Sequence, residues 1–211
     1  MKKVIVFGAT GGTGKQVVDQ LLKTGSHVTV VVRNPDSFEL RYNNLKIIKG
    51  DVFQPETFEN AIKGKDAVVS CLGIPKAVPT TLYSQGVFNI TTAMVKAGVN
   101  RILCISSSAV IIPPEITFIM KFLLKNIIQR LHKPVHADML RMENVLIESN
   151  LDWTIIRAPK LTNGKRTGKY KITANQPFNN IPTISRADLA DYIVTHLTEE
   201  NTFKKIVEVL Y

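Results

Sequence analysis

One glycine-rich stretch narrows the folds open to this chain more than any other feature. The residues "GATGGTG" place Gly8, Gly11 and Gly14 three apart, directly after the apolar run Val4–Phe7. They lead into Lys15–Gly25, where Val17, Val18, Leu21 and Leu22 share one helical stripe and Gly25 supplies a stop. Glycines between a strand and a helix permit a tight turn, close backbone approach to an anion, and close helix–strand packing. The amides at the helix start, with its dipole behind them, suit a phosphate. Thr10, Gly12 and Thr13 add further donors. The competing reading is a glycine-rich turn that holds no ligand.

Strand-like and helix-like segments alternate along the rest of the chain. Val28–Val32, Lys46–Val52, Asp66–Gly73, Arg101–Ser108, Asp152–Pro159 and Ile206–Leu210 read as strands. Pro55–Ala61, Thr80–Ala97, Val135–Ser149 and a segment from Ser185 to Leu197 read as helices, the last opened by the capping box "SRAD". The strands are nearly continuous apolar runs, as expected for strands buried on both faces of a parallel sheet. This predicts a doubly wound α/β fold. With 211 residues, 45% of them apolar, and no linker or repeat, the chain reads as a single domain over 1–211.

The second strand ends at Arg33, about 20 residues beyond the glycines, where an acidic residue would bind a ribose 2′-hydroxyl. No acidic residue occurs from Val28 to Pro35. A guanidinium cannot accept those hydrogen bonds, but it can donate a fork of them to a 2′-phosphate, with Ser37 nearby. The sequence therefore points to NADP(H) rather than NAD(H). The bland alternative is a solvated arginine at a strand end.

The formal charge of +10 fits a basic surface, attraction of anionic small molecules, or contact with nucleic acid or an anionic membrane. No nucleic-acid motif is present, and aromatics are not interleaved with the basic residues. Cys71 and Cys104 lie in apolar runs and read as core residues in a reducing compartment. No run approaches a membrane span, and the first apolar run is too short for a signal peptide. A cytoplasmic protein is expected. No His, Cys or carboxylate cluster has metal-ligand spacing.

The motifs "VIVFGATGGTGKQVV", "VTVVVRNP", "DAVVSCLG", "GVFNITTAMVKAGVNRIL" and "ESNLDWTIIRAP", in this order, resemble the atypical short-chain dehydrogenase/reductases, the NAD(P)H-binding relatives of NmrA. "PTTLYSQGVFNI" and "ADMLRMENVLIESNL" are most similar to the biliverdin-IXβ reductase/flavin reductase branch. The resemblance implies a Rossmann fold with cofactor contacts at Gly8, Thr10, Gly11, Gly12, Thr13, Gly14, Arg33, Asp51, Val52, Leu72 and Gly73. Asp51 and Val52 would meet the adenine; Leu72 and Gly73 would lie along the ribose and pyrophosphate.

The tyrosine–lysine pair of typical short-chain dehydrogenases has no counterpart in His132–Leu140, which reads "HKPVHADML". What the resemblance then implies is hydride delivery to a conjugated small-molecule acceptor, anionic or aromatic, with positioning as the protein's main contribution. By the same resemblance Ser107 would hold the nicotinamide amide or orient the acceptor. Lys160, where the reductases carry a histidine, would pair with an acidic group on the acceptor. A strand-end hydroxyl and a loop lysine are the plain alternatives. A non-catalytic NADP(H)-sensing protein is the second functional reading. His132 and His136 read first as helix-end or surface residues.

Residues 113–134, "PPEITFIMKFLLKNIIQRLHKP", read as an apolar helical insertion after the fifth strand. As a helix it is apolar over more than one face. A lid or pocket wall, ordinary core packing, a subunit interface and membrane-surface attachment are the readings. Either a monomer or a homodimer is compatible with the sequence.

Overall fold

Val4 and Val6 point to one face of β1 (Lys3–Phe7), Ile5 and Phe7 to the other, and all four are fully buried. This strand lies at the centre of the domain. The computed structural model describes residues 1–75, 78–110, 129–173 and 182–211, with side chains for all but 129–133 of these. The strands are β1, β2 (His27–Val32), β3 (Leu45–Lys49), β4 (Ala67–Ser70), β5 (Arg101–Ser107), β6 (Asp152–Ala158), β7 (Lys160–Thr162), β8 (Lys171–Thr173), β9 (Thr183–Ser185) and β10 (Lys205–Leu210). The helices are α1 (Gly12–Lys23), α2 (Glu59–Ile62), α3 (Leu82–Ala97), α4 (Gln129–Ile147) and α5 (Arg186–Thr195).

Among the described residues the main sheet runs β3-β2-β1-β4-β5-β6-β10-β8. All its pairings are parallel except β10 with β8. The chain winds outward from β1 to β2 and β3, then returns to β4 on the other side of β1. That reversal opens a crevice at the carboxyl ends of β1 and β4, where ligands of such sheets lie.

Both sheet faces are covered. Val4, Val6, Val28 and Val30 pack under Val17, Val18, Leu21 and Leu22 of α1 and Leu189, Ala190 and Ile193 of α5. Ile5, Phe7, Val68, Ile102 and Ile155 pack under α2, α3 and α4. Two buried ionic groups tie helices to this frame. Asp138 of α4 accepts from the amides of Tyr83 (2.9 Å) and Ser84 (3.4 Å) and from the Ser84 hydroxyl, capping α3 from another helix. Arg101 donates to the carbonyls of Leu197 and Asp152 and to the hydroxyls of Thr154 and Thr202, all between 2.8 and 3.0 Å.

Three local differences from the sequence expectation have physical reasons. The strand expected over Lys46–Val52 stops at Lys49. Past it the Thr57 hydroxyl takes the Asp51 amide at 3.0 Å and Asp51 bridges to Gln54, so Asp51 and Val52 sit in a turn. The helix expected from Pro55 is split, because Phe58 leaves helical geometry (φ −137°) to pack edge-on against Phe7, with ring centroids 5.0 Å apart. The short strands β7, β8 and β9 lack an apolar run long enough to announce them. Residues 113–128 of the expected insertion lie outside the described residues; 129–134 begin α4.

Candidate functional site

The glycine turn closes on itself and on β4. Gly8 has φ +73°, and a Cβ added there would sit 2.2 Å from the Cys71 carbonyl oxygen. The Gly11 amide donates to the Gly8 carbonyl at 3.1 Å. A Cβ on Gly14 would in turn meet the Gly8 oxygen at 2.2 Å. These glycines are thus required by the close approach of β1, β4 and α1.

Gly11 is the N-cap of α1 and offers no side-chain acceptor, and the first turn of the helix holds no acidic residue. Its positive end therefore meets neither a capping oxygen nor a carboxylate of its own. Thr10, Gly11 and Gly12 are exposed, whereas Thr13 and Gly14 are buried. Above Gly12 lies Arg186: a Cβ added at Gly12 would be 2.8 Å from both Cδ and Nε of that side chain.

Arg33 is exposed just beyond the end of β2. With Lys49, Gly50, Asp51, Gln54 and Thr57 it lines a cleft of about 320 Å³. Lys49 pairs in register with Val32, so the two cations end adjacent strands. Among the described residues neither has an ion-pair partner. Ser37 is engaged locally, donating to the Asn34 carbonyl at 2.8 Å. One Asp51 carboxylate oxygen accepts the Phe53 amide at 3.0 Å. Val52 is held from α3 by Asn89, which donates to its carbonyl at 2.8 Å. Leu72 is half-buried and Gly73 exposed beyond β4, with nothing within 4 Å of the position a Gly73 Cβ would take.

The three serines at the end of β5 separate cleanly. Ser106 donates to Glu143 at 2.6 Å and Ser108 to the Arg157 carbonyl at 3.2 Å. Ser107, half-buried, instead accepts the Ala109 amide at 3.2 Å, which leaves its hydroxyl proton for another acceptor. Ser107 pairs in register with Ala158; Lys160 follows two residues on, exposed at the start of β7. Glycine turn, Arg33, Leu72–Gly73, Ser107 and Lys160 thus all follow carboxyl ends of strands in the parallel sheet or lie at the edge beyond them.

Sequence reading did not single out Lys49, Arg186 or the Glu143–Arg157 pair. Arg186 was visible only as part of "SRAD", where the capping role of Ser185 absorbed the signal. Cys71 and Cys104 are free and buried; burial pushes both thiols up, Cys104 to about 12.

A mostly parallel sheet that reverses beside β1, with an uncapped helix behind a glycine turn, defines a Rossmann-type nucleotide-binding domain. The chain matches the NAD(P)H-binding family over residues 8–200 and belongs to it. An uncharacterised chloroplast protein of Arabidopsis thaliana is 28% identical over 99% of this chain and 76% of its own length. The photosystem II assembly factor Ycf39 of Synechocystis is 26% identical over 81% of this chain, which spans 48% of that relative. A Streptomyces griseus reductase of (4-alkanoyl-5-oxo-2,5-dihydrofuran-3-yl)methyl phosphate is 23% identical over 73% of this chain and 46% of its own length. Among solved structures, a short-chain dehydrogenase/reductase of Veillonella parvula in complex with NADP shares the fold with TM-score 0.81, at 20% identity, over 99% of this chain and 94% of its own. Among the described residues no helix is long and apolar enough to cross a membrane.

Proposed function

We propose that this chain is an NADPH-dependent reductase of a conjugated acceptor: a flavin, a tetrapyrrole or a quinone-like molecule. The observation that carries the cofactor preference is the cleft past β2, where Arg33 and Lys49 stand together without carboxylate partners among the described residues. A 2′-phosphate is the anion of matching position and charge. The amides of Gly12 and Thr13, with Thr10, take the pyrophosphate, and Gly11, whose own amide is given to Gly8, lets it approach the backbone closely. Gly8 and Gly14 let strand and helix close behind it. Asp51 and Val52 face the adenine, and Leu72 and Gly73 lie along the ribose and pyrophosphate.

The bound dinucleotide supplies a hydride; the protein supplies position. The free hydroxyl proton of Ser107 orients the nicotinamide amide or the acceptor. Lys160 pairs with a carboxylate or phosphate on the acceptor. The proton that completes reduction comes from solvent, since no tyrosine–lysine pair stands in His132–Leu140 and Asp138 is spent capping α3. The phosphorylated substrate named for the Streptomyces relative agrees with an anionic acceptor.

A second reading, a non-catalytic protein that senses NADP(H) and binds a partner, is favoured by the same missing pair and by the assembly role named for Ycf39. Steady-state NADPH oxidation with FMN, riboflavin and biliverdin decides between them. The reductase turns over at least one. Tight NADPH binding with no turnover of any acceptor supports the second reading.

A further inference from the structure

The end of α1 that meets the glycine turn faces a cation from another part of the chain. We infer that Arg186 is a pyrophosphate-binding residue, closing over the glycine turn from the start of α5. The inference rests on the dinucleotide reading above. It concerns the phosphates common to NADH and NADPH, not the 2′-phosphate assigned to Arg33.

Arg186 is anchored to the same helix whose start it covers. Ser185 caps α5 by accepting the Asp188 amide at 2.9 Å. Gln20 of α1 donates to the carbonyl of Ala187 at 2.8 Å. The backbone beside Arg186 is therefore tied to α1, and the side chain reaches Gly12 in the first turn of that helix. Any side chain at Gly12 would displace it, so the second glycine of "GGTG" makes room for the arginine.

The charges call for an anion. The guanidinium carries five N–H donors. One of its nitrogens donates to the neutral Asn163 Oδ1 at 2.7 Å, and among the described residues no carboxylate pairs with it. It stands against a helix start that has no acidic residue in its first turn and no capping side chain. The helix end carries roughly half a positive charge, so guanidinium and dipole repel each other. Two linked phosphates bound beside both turn that repulsion into attraction and match the planar fork of the guanidinium. Arg186 also follows β9, which pairs with β7 from Lys160 onward, so one ribbon carries both cations.

The test is calorimetric titration of the full chain and R186Q with NADPH, NADH and adenosine 2′-monophosphate, which lacks a pyrophosphate. R186Q is expected to weaken NADPH and NADH by a similar factor, tenfold or more, and to leave adenosine 2′-monophosphate unchanged. R33Q is expected to weaken NADPH and adenosine 2′-monophosphate and to spare NADH. Unchanged dinucleotide binding by R186Q overturns the role of Arg186 while the Arg33 reading stands. Equal loss of all three ligands also overturns it, because the damage is then to the fold. Failure of the unmodified chain to bind either dinucleotide removes both readings.

Discussion

Arg157 grips Glu143 inside the domain through two hydrogen bonds, Nε to Oε1 at 3.1 Å and Nη2 to Oε2 at 2.7 Å. Both side chains are almost fully buried, and Ser106 adds a third donor to the same carboxylate. Breaking such a pair from one side leaves a buried charge without its partner, at about 3–5 kcal/mol. E143L is therefore expected to lower unfolding free energy by about that much. The double variant E143L/R157M is expected to recover only part of it, measured by urea denaturation, because Arg157 also faces the buried carboxyl of Glu208. Equal stability of E143L and the unmodified chain would contradict this account of the pair.

Asp188 gives the fold an acid limit. Burial opposes its ionisation, but donors from the Tyr211 hydroxyl, the Gly168 and Thr167 amides and the Thr167 hydroxyl outweigh it and hold the carboxyl at about 2. The unfolded value is about 3.9. The stabilisation is thus complete above about pH 4 and is lost as pH falls through about 2. Thermal melts against pH are expected to fall over that window, and more shallowly in D188N, which starts from a lower melting temperature.

Two glycine substitutions separate packing from ligand approach. G8A places a Cβ 2.2 Å from the Cys71 oxygen at φ +73°, so loss of folded protein is expected. G73A meets nothing within 4 Å, so the fold is expected to hold, with unfolding free energy unchanged within about 0.5 kcal/mol. If G73A also weakens NADPH, the methyl group obstructs the cofactor rather than the protein. Circular dichroism and cofactor titration on the same samples read both effects.

The parts of this fold legible in the sequence were those with local signals. The glycine turn, the stripe on α1, the Ser185 cap and the long apolar strands each follow from spacing within a few residues. Gly8 and Gly14 were visible for the same reason. Arg186 and Lys49 were not, because their meaning lies in contacts across more than 150 residues in one case and between adjacent strands in the other. The three serines after Ile105 were equivalent in sequence. Only the Glu143 carboxylate and the Arg157 carbonyl, brought in by α4 and β6, distinguish Ser107 from its neighbours.

The central claim is that the cations past β2 select a 2′-phosphorylated dinucleotide, and isothermal titration of the unmodified chain with NADPH and NADH tests it most directly. A charge-assisted contact of about 1.5–3 kcal/mol predicts tighter binding of NADPH by roughly one to two orders of magnitude. R33D should erase that difference mainly by weakening NADPH. Equal affinities for the two coenzymes in the unmodified chain, or no heat with either, would contradict the account.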